Sequence, residues 1–337
     1  NIFDGMIAHW CTPDEKSALR PDRLSKGSLW HKVKFIHNED QKCSTNDLVI
    51  VSFDRLVSQR IKKNLYQFSA TPSQALNIVD CGTFIQKQSE SIIPLLQEIT
   101  ESGAVALLLG APIGFMRHQV NGTKMASIIR ESNLDDDIHL RTDGKGPLFQ
   151  YIGTQRHLVT ESHLRVEGHL RLSDLREDLS LAEPCIRDSG AMIYHCDSLS
   201  ASEAGYLTGI SGSGLSVMES CQLFRYAGAS LAVSTVGIYG YNADSDESGL
   251  MANALAQMIW YMLEGSTLRE DPSKSPLTQY IVQVRDNEHT LLFYKSEISG
   301  RWWVENREGN KVPCSYMDYR KSCEEDYSDL IIRTVLG

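Results

Sequence analysis

The residues with the strongest claim to chemistry form a short run, His195-Cys196-Asp197, in which an imidazole, a thiol and a carboxylate follow one another. A thiol activated by a neighbouring histidine is one chemistry such a run could serve. Adjacent side chains on a strand point to opposite faces, however, so His195 is badly placed to activate Cys196. The string Gly209-Ile210-Ser211-Gly212-Ser213-Gly214 contains a G-x-S-x-G fragment, but no strand leads directly into it as a nucleophile elbow requires. His157, His163 and His169 recur at a spacing that shares no helix face, which argues against a joint ligand role. Asp135, Asp136 and Asp137 are contiguous, whereas hard cations want oxygen ligands spaced around a turn, so the triplet reads as a solvated face. No G-x-G-x-x-G after a first strand, phosphate loop or H-E-x-x-H occurs.

The elements that must position these groups centre on residues 191–265. Ala191–Cys196 and Leu231–Tyr239 are apolar runs of the kind found in strands covered on both faces. A Gly/Ser-rich loop from Thr208 to Gly214 leads into a helix over Leu215–Ala227, and the polar loop Asn242–Glu247 leads into a second helix over Gly249–Glu264. Leu250, Leu255, Met258, Ile259 and Met262 give that second helix one wide apolar face. The order is a βαβα unit, and α/β proteins keep their sites in the loops after such strands. Upstream, Leu48–Phe53, Leu76–Val79, Ala104–Leu109 and Phe149–Gly153 read as strands, with helices over Arg55–Phe68 and Glu90–Glu101. Leu76–Val79 is expected to end in a turn at Asp80-Cys81-Gly82, Leu29–Ile36 reads as a partial edge strand, and Ser173 is expected to cap a polar-faced helix within Leu170–Ile186. At the C-terminus, Tyr280–Val284, Thr290–Lys295 and Arg301–Glu305 form a three-strand antiparallel meander, followed by a helix over Ser315–Asp326. Trp302 and Trp303 must then face opposite ways, one to the core and one to the rim.

The stretch from Asp197 to Gly205 (DSLSASEAG), with GIYGYNADSD further on, resembles the C-terminal half of the arginase/formimidoylglutamase (ureohydrolase) family. That resemblance implies a three-layer α/β/α fold with a mostly parallel sheet of about eight strands, to which the C-terminal antiparallel meander is an addition. It also implies two manganese ions at the C-terminal ends of the strands, held by histidines and aspartates, because paired hard cations need several anions between them. Carried over position by position, the family's ligand histidine after the strand Ala104–Leu109 falls on Ile113. The D-A-H-x-D ligands fall on Arg130, Ser132 and Leu134, and the third motif's two aspartates on His195 and Asp197. The substrate-binding glutamate becomes Gly240, with Asn242 kept.

At most His195 and Asp197 keep donor atoms, too few for a dinuclear site, and a guanidinium at position 130 would repel a cation. The expectation is a catalytically inactive ureohydrolase-fold protein without a cofactor, acting through a protein partner or a small ligand in the old pocket. The alternative is a manganese-dependent, formimidoylglutamase-like hydrolase of linear amidines with a shifted or mononuclear metal site, a single metal being conceivable on His195, Asp197 and one of His118, Glu131 or Asp135. As a third reading, the meander carrying Trp302 and Trp303 binds a protein partner, and truncation near Asp271 removes that binding. The resemblance further implies a homo-oligomer.

The bulk properties bound these readings. A chain of 337 residues that is 42% hydrophobic can bury one large α/β core. It is expected to divide into an N-terminal extension (1–46), the main α/β domain (47–270) and the C-terminal meander with its helix (271–337). A net charge of −10 with scattered basic residues argues against a nucleic-acid or anionic-membrane face. No run approaches the ~18 apolar residues of a spanning helix. The eight cysteines show no C-x-x-C or finger spacing and read as buried free thiols of a reducing, cytoplasmic compartment, with a removed leader left open because the chain starts at Asn1.

Overall fold

A computed structural model describes residues 10–36, 43–70, 76–86, 89–112, 124–130, 148–158, 166–204, 212–284 and 290–336. Ten strands form the larger sheet: β1 (Cys11–Thr12), β2 (Lys34–Phe35), β3 (Asp47–Ser52), β4 (Asn77–Phe84), β5 (Val105–Leu109), β6 (Lys124–Ile128), β7 (Leu148–Thr154), β8 (Val166–Arg171), β9 (Ala191–His195) and β10 (Thr235–Tyr239). Their order is β1-β4-β3-β5-β10-β9-β6-β7-β8, with β2 also on β4. Every pairing is parallel except that of β1 with β4. The chain runs outward through β6, β7 and β8 and then returns to insert β9 and β10 in the middle of the sheet. Such reversals open a crevice at the carboxyl ends of the strands.

The strands alternate between two apolar layers, as the period of two requires. Leu48, Ile50, Leu107, Leu109, Met192, Tyr194, Val236 and Ile238 pack on one side with helices α2 (Arg55–Gln67), α7 (Val217–Ala229) and α8 (Leu250–Gly265). Val49, Val51, Ala106, Leu108, Ala191 and Ile193 pack on the other with α3 (Ile92–Glu101). The expected three-layer sheet is therefore present, and burial on both faces explains its near-continuous apolar strands. Helix α1 (Lys16–Leu19) precedes this core, α4 (Leu172–Glu177), α5 (Ala182–Arg187) and α6 (Ala201–Ala204) lie within it in sequence, and α9 (Tyr316–Cys323) and α10 (Asp329–Ile331) follow it.

Several local expectations need correction. β4 does not turn at Asp80 but continues to Phe84, because Lys62 neutralises that carboxylate inside the sheet. Leu29–Ile36 is mostly a 3-10 turn followed by the two residues of β2. Arg171, not Ser173, sits at the start of α4, since β8 runs straight into the helix. Leu250 belongs by spacing to the apolar face of α8 but lies in its first turn and is largely exposed. Among the cysteines, none of which is disulfide-bonded, Cys323 is exposed rather than buried.

The C-terminal sheet has four strands rather than three: β11 (Leu277–Gln283), β12 (Thr290–Ser296), β13 (Trp302–Glu305) and β14 (Lys311–Cys314), all antiparallel in that order. Its inner face holds Val282, Leu291, Phe293, Trp302 and Val304 against Ile331 and Val335. Trp303 faces the other way and is equally buried, because the Arg187 guanidinium lies 4.5 Å over its ring. Arg187 also binds Glu183 through Nε at 2.8 Å and donates to the carbonyl of Trp302 at 2.8 Å. The expected split of one core and one rim tryptophan is thus wrong, and neither indole is available as a partner surface. No described helix is long and apolar enough to cross a membrane.

Candidate functional site

Strands β5, β10, β9 and β6 are neighbours, so their carboxyl ends bring the predicted positions side by side. Tyr239 pairs with His195, and Ile128 pairs with Tyr194. His195 therefore ends β9 beside the Tyr239-Gly240 end of β10 on one side and the Ile129-Arg130 end of β6 on the other. Beyond His195 the chain makes a single 3-10 turn over Cys196–Ser198, anchored where the Ser198 hydroxyl donates to the Ile128 carbonyl at 2.9 Å. That turn brings Asp197 back beside His195. Cys196 is pointed into the core instead, where burial pushes its thiol well above the ordinary range. Because β9 ends at His195 and Cys196 opens the turn, strand alternation does not govern the pair; burial of Cys196 in the core turns its thiol away instead.

His195 Nδ1 lies 3.4 Å from the Asp197 carboxylate and accepts from the Asp197 amide, also at 3.4 Å. Both contacts are long for hydrogen bonds, and they compete, since a donor N–H is needed for one and a bare nitrogen for the other. The Nδ1–Cε1–Nε2 edge of the ring lies over Gly240. A Cβ at Gly240 would sit 2.8 Å from Cε1 and 3.1 Å from Nε2 of His195, and φ at this glycine is +74°. The imidazole thus occupies the space in which a side chain at position 240 would begin. Asn242 is exposed and folds over its own loop, with Oδ1 accepting from the Asp244 and Ser245 amides. Arg130 is buried at the end of β6, and its carbonyl accepts from the Gln155 amide at 3.0 Å.

Ile113, Ser132 and Leu134 lie outside the described residues, as do the possible substitutes His118, Glu131 and Asp135. Among the described residues, no group of three or more His, Cys, Asp or Glu side chains is placed to hold a metal. The described part of the crevice does not fit a pair of divalent cations. It offers one imidazole and one carboxylate in mutual contact, with a buried guanidinium on the next strand and no carboxylate at position 240. His157 is exposed, and His169 stacks on Tyr151 in the outer part of the sheet, so the described members of that histidine series are not brought together.

Sequence reasoning missed a highly charged buried cluster. Lys62 of α2, fully buried, donates to Asp80 at 2.6 Å and to Asp14 at 2.9 Å. Tyr66 donates to the second Asp80 oxygen at 2.5 Å, and Ser58 and Thr83 donate to Asp14. Burial pushes the Asp14 carboxyl up, but the Lys62 ammonium and these hydrogen bonds outweigh it and hold the carboxyl below its ordinary value. Burial likewise lowers Lys62, and the two carboxylates more than compensate, so its ammonium is held above the usual lysine range. The signal was present in the sequence: Ser58, Ile61, Lys62, Leu65 and Tyr66 share the buried face of α2, and a lysine on such a face needs counter-charges. Asp246 was also passed over as a loop residue. It is buried, accepts from the Tyr241 hydroxyl and the Met251 and Ala252 amides, and so starts α8.

No family model matches the sequence, and no curated protein does. Solved structures do match. Formimidoylglutamase from Bacillus subtilis superposes with a TM-score of 0.58 at 12% identity, over 74% of this chain and 95% of that one. An arginase superfamily protein from Trypanosoma cruzi gives 0.55 at 14%, over 72% and 99%. A hypothetical agmatinase from Burkholderia thailandensis gives 0.54 at 15%, over 66% and 86%. The chain has the arginase fold. In this arginase-like protein the neighbouring ends of β10, β9 and β6 bring Gly240, His195, Asp197 and Arg130 to one end of the sheet.

Proposed function

We propose that this arginase-fold chain is catalytically inactive as a ureohydrolase and acts by binding, with a small ligand held in the crevice at the ends of the central strands. The observation that carries the reading is the packing of His195 on Gly240. Two changes from the family pattern compensate each other sterically: an imidazole replaces the first aspartate of the third motif, and the residue it displaces has lost its side chain. A crevice rebuilt in this way has exchanged metal-binding anions for an imidazole and, at Arg130, a guanidinium. With fewer anions than paired hard cations need, it favours a small molecule over two divalent metal ions.

Elemental analysis of full-length protein purified with Mn(II), combined with an assay for ammonia or formamide release from formimidoyl-glutamate, separates this reading from the metal-dependent amidine hydrolase. The expected result is no stoichiometric manganese and no release. About two ions per chain together with turnover overturns the proposal, and one ion with turnover supports a mononuclear site using His195 and Asp197.

A further inference from the structure

A cleft of about 260 Å³ lies between the end of α7 and the C-terminal sheet, with Glu183, Arg225, Tyr226, Arg301 and Tyr316 on its walls. Ala229 ends α7 just before β10 begins, so the cleft lies toward the amino ends of the strands, away from His195. Three guanidiniums meet around it and share two carboxylates. Arg187 and Arg301 both bind Glu183, at 2.8 and 3.2 Å, and Arg225 binds Glu264 at 2.6 Å. Arg301 is nine-tenths buried, with Nε against Glu183 and Nη1 donating to the Ala229 carbonyl at 3.1 Å. Among the described residues its Nη2 makes no hydrogen bond, and Arg225 uses only Nε. Burial lowers the pKa of Arg301, and Glu183 and Glu270 do not make up the loss, because Arg187 and Arg225 work against them. The chain carries a net charge of −10, so a local excess of cations is not a by-product of composition.

We infer that this cleft binds a small phosphate monoester carrying a planar ring, of the nucleoside monophosphate class, with the phosphoryl group between Arg225 and Arg301 and the ring against Tyr316. The guanidinium fork matches phosphoryl oxygens, and a pair of forks calls for a dianion. A phosphate monoester carries about 1.5–2 negative charges at neutral pH, whereas a carboxylate carries one. Helix α9 starts at Tyr316 on the same wall, so the positive end of its dipole adds to the field. The ring follows from exposure. Trp302 is covered by Tyr319, stacked at 4.8 Å, but Tyr316 meets Trp302 only at a tilt of 48° and is 54% exposed. It therefore has a face to offer a base at the mouth of the cleft. The volume agrees: it is below that of sites enclosing a drug-sized ligand, and suits a phosphoryl group and its sugar with the base at the rim.

Calorimetric titration of the full chain at low salt with adenosine 5′-monophosphate, adenosine and inorganic phosphate tests this. The nucleotide should bind with a dissociation constant on the order of 0.1 mM, phosphate at least about tenfold more weakly, and adenosine not measurably. Arg225→Gln should weaken nucleotide and phosphate alike by at least about tenfold, and Arg225→Lys by less. Tyr316→Ala should weaken the nucleotide at least about fivefold and leave phosphate unchanged. Both side chains are partly exposed, so circular dichroism and the melting temperature should confirm that the variants fold. Hydrogen exchange should slow over 298–302 and 314–318 when the nucleotide is added. No nucleotide binding up to about 5 mM overturns the inference. So does binding that Arg225→Gln leaves unchanged, or protection that falls on the carboxyl ends of β9 and β10 instead. Equal affinity for phosphate and nucleotide, insensitive to Tyr316→Ala, overturns the assignment to a ring-bearing ester.

Discussion

Gly240→Ala, made alone and together with His195→Ala, tests the contact on which the proposed function depends. The alanine methyl would lie 2.8 Å from Cε1 of His195 and 3.3 Å from Nδ1, inside the roughly 3.5–4.0 Å of an ordinary carbon contact. It would also hold a non-glycine residue at φ +74°, which costs about 1–2 kcal/mol by itself. The ring can escape, being a quarter exposed and tied to Asp197 only by contacts of 3.4 Å, so relieving the clash adds only about 0.5–1 kcal/mol. The single substitution should therefore cost about 1.5–3 kcal/mol in urea unfolding followed by tryptophan fluorescence. In the His195→Ala background the methyl meets empty space, and the cost should fall to the backbone component of about 1–2 kcal/mol. The cycle then gives a coupling of about 0.5–1 kcal/mol, above the limit of roughly 0.3–0.5 kcal/mol expected for independent sites. If the two substitutions are additive, the imidazole does not fill the space at residue 240, and the steric basis for the proposed loss of activity is gone.

Three further outcomes are expected. Lys62→Met strands two buried carboxylates and should lower stability at neutral pH by about 3–5 kcal/mol. Because the Asp14 carboxyl is held low in the folded state, the stability it contributes in the wild type is present above the ordinary carboxylate range and is lost as pH falls through the lower folded value; equilibrium unfolding at pH 7 and in acid should show the Lys62→Met cost shrinking in acid. Arg187→Met removes the hydrogen bond to the Trp302 carbonyl and the cover over Trp303; it should cost about 3 kcal/mol and speed limited proteolysis between α8 and β11. With a thiol reagent, the exposed Cys323 should give the fast phase and Cys323→Ser should abolish it, whereas Cys196, buried and with its thiol pushed up, should react only on unfolding.

Arrangement was legible where residue type alone decided the outcome. Strands such as Asp47–Ser52 and Val105–Leu109 carry unbroken apolar runs, Leu48 to Val51 in the first, because both faces are covered, so these runs announced a parallel sheet without reference to any partner. Helix α7 was legible after the Gly/Ser-rich loop, but its start was not: the expected Leu215 gives way to Val217, because Ser216 and Glu219 form a capping box that satisfies the first amides. Strand ends were less legible: β4 passes through Asp80 only because Lys62, distant in sequence, neutralises the carboxylate there.

The same division holds for the site. The residue types at the ends of the strands, His195, Asp197, Arg130 and Gly240, could be read before any fold was known, since identity needs no packing. That the ring of His195 lies on Gly240, that Cys196 turns into the core, and that both Trp302 and Trp303 are covered came from packing between elements. Periodicity assigns a side chain to one face of an element, but what lies over that face comes from other parts of the chain, and packing between them is a property of the assembled layers.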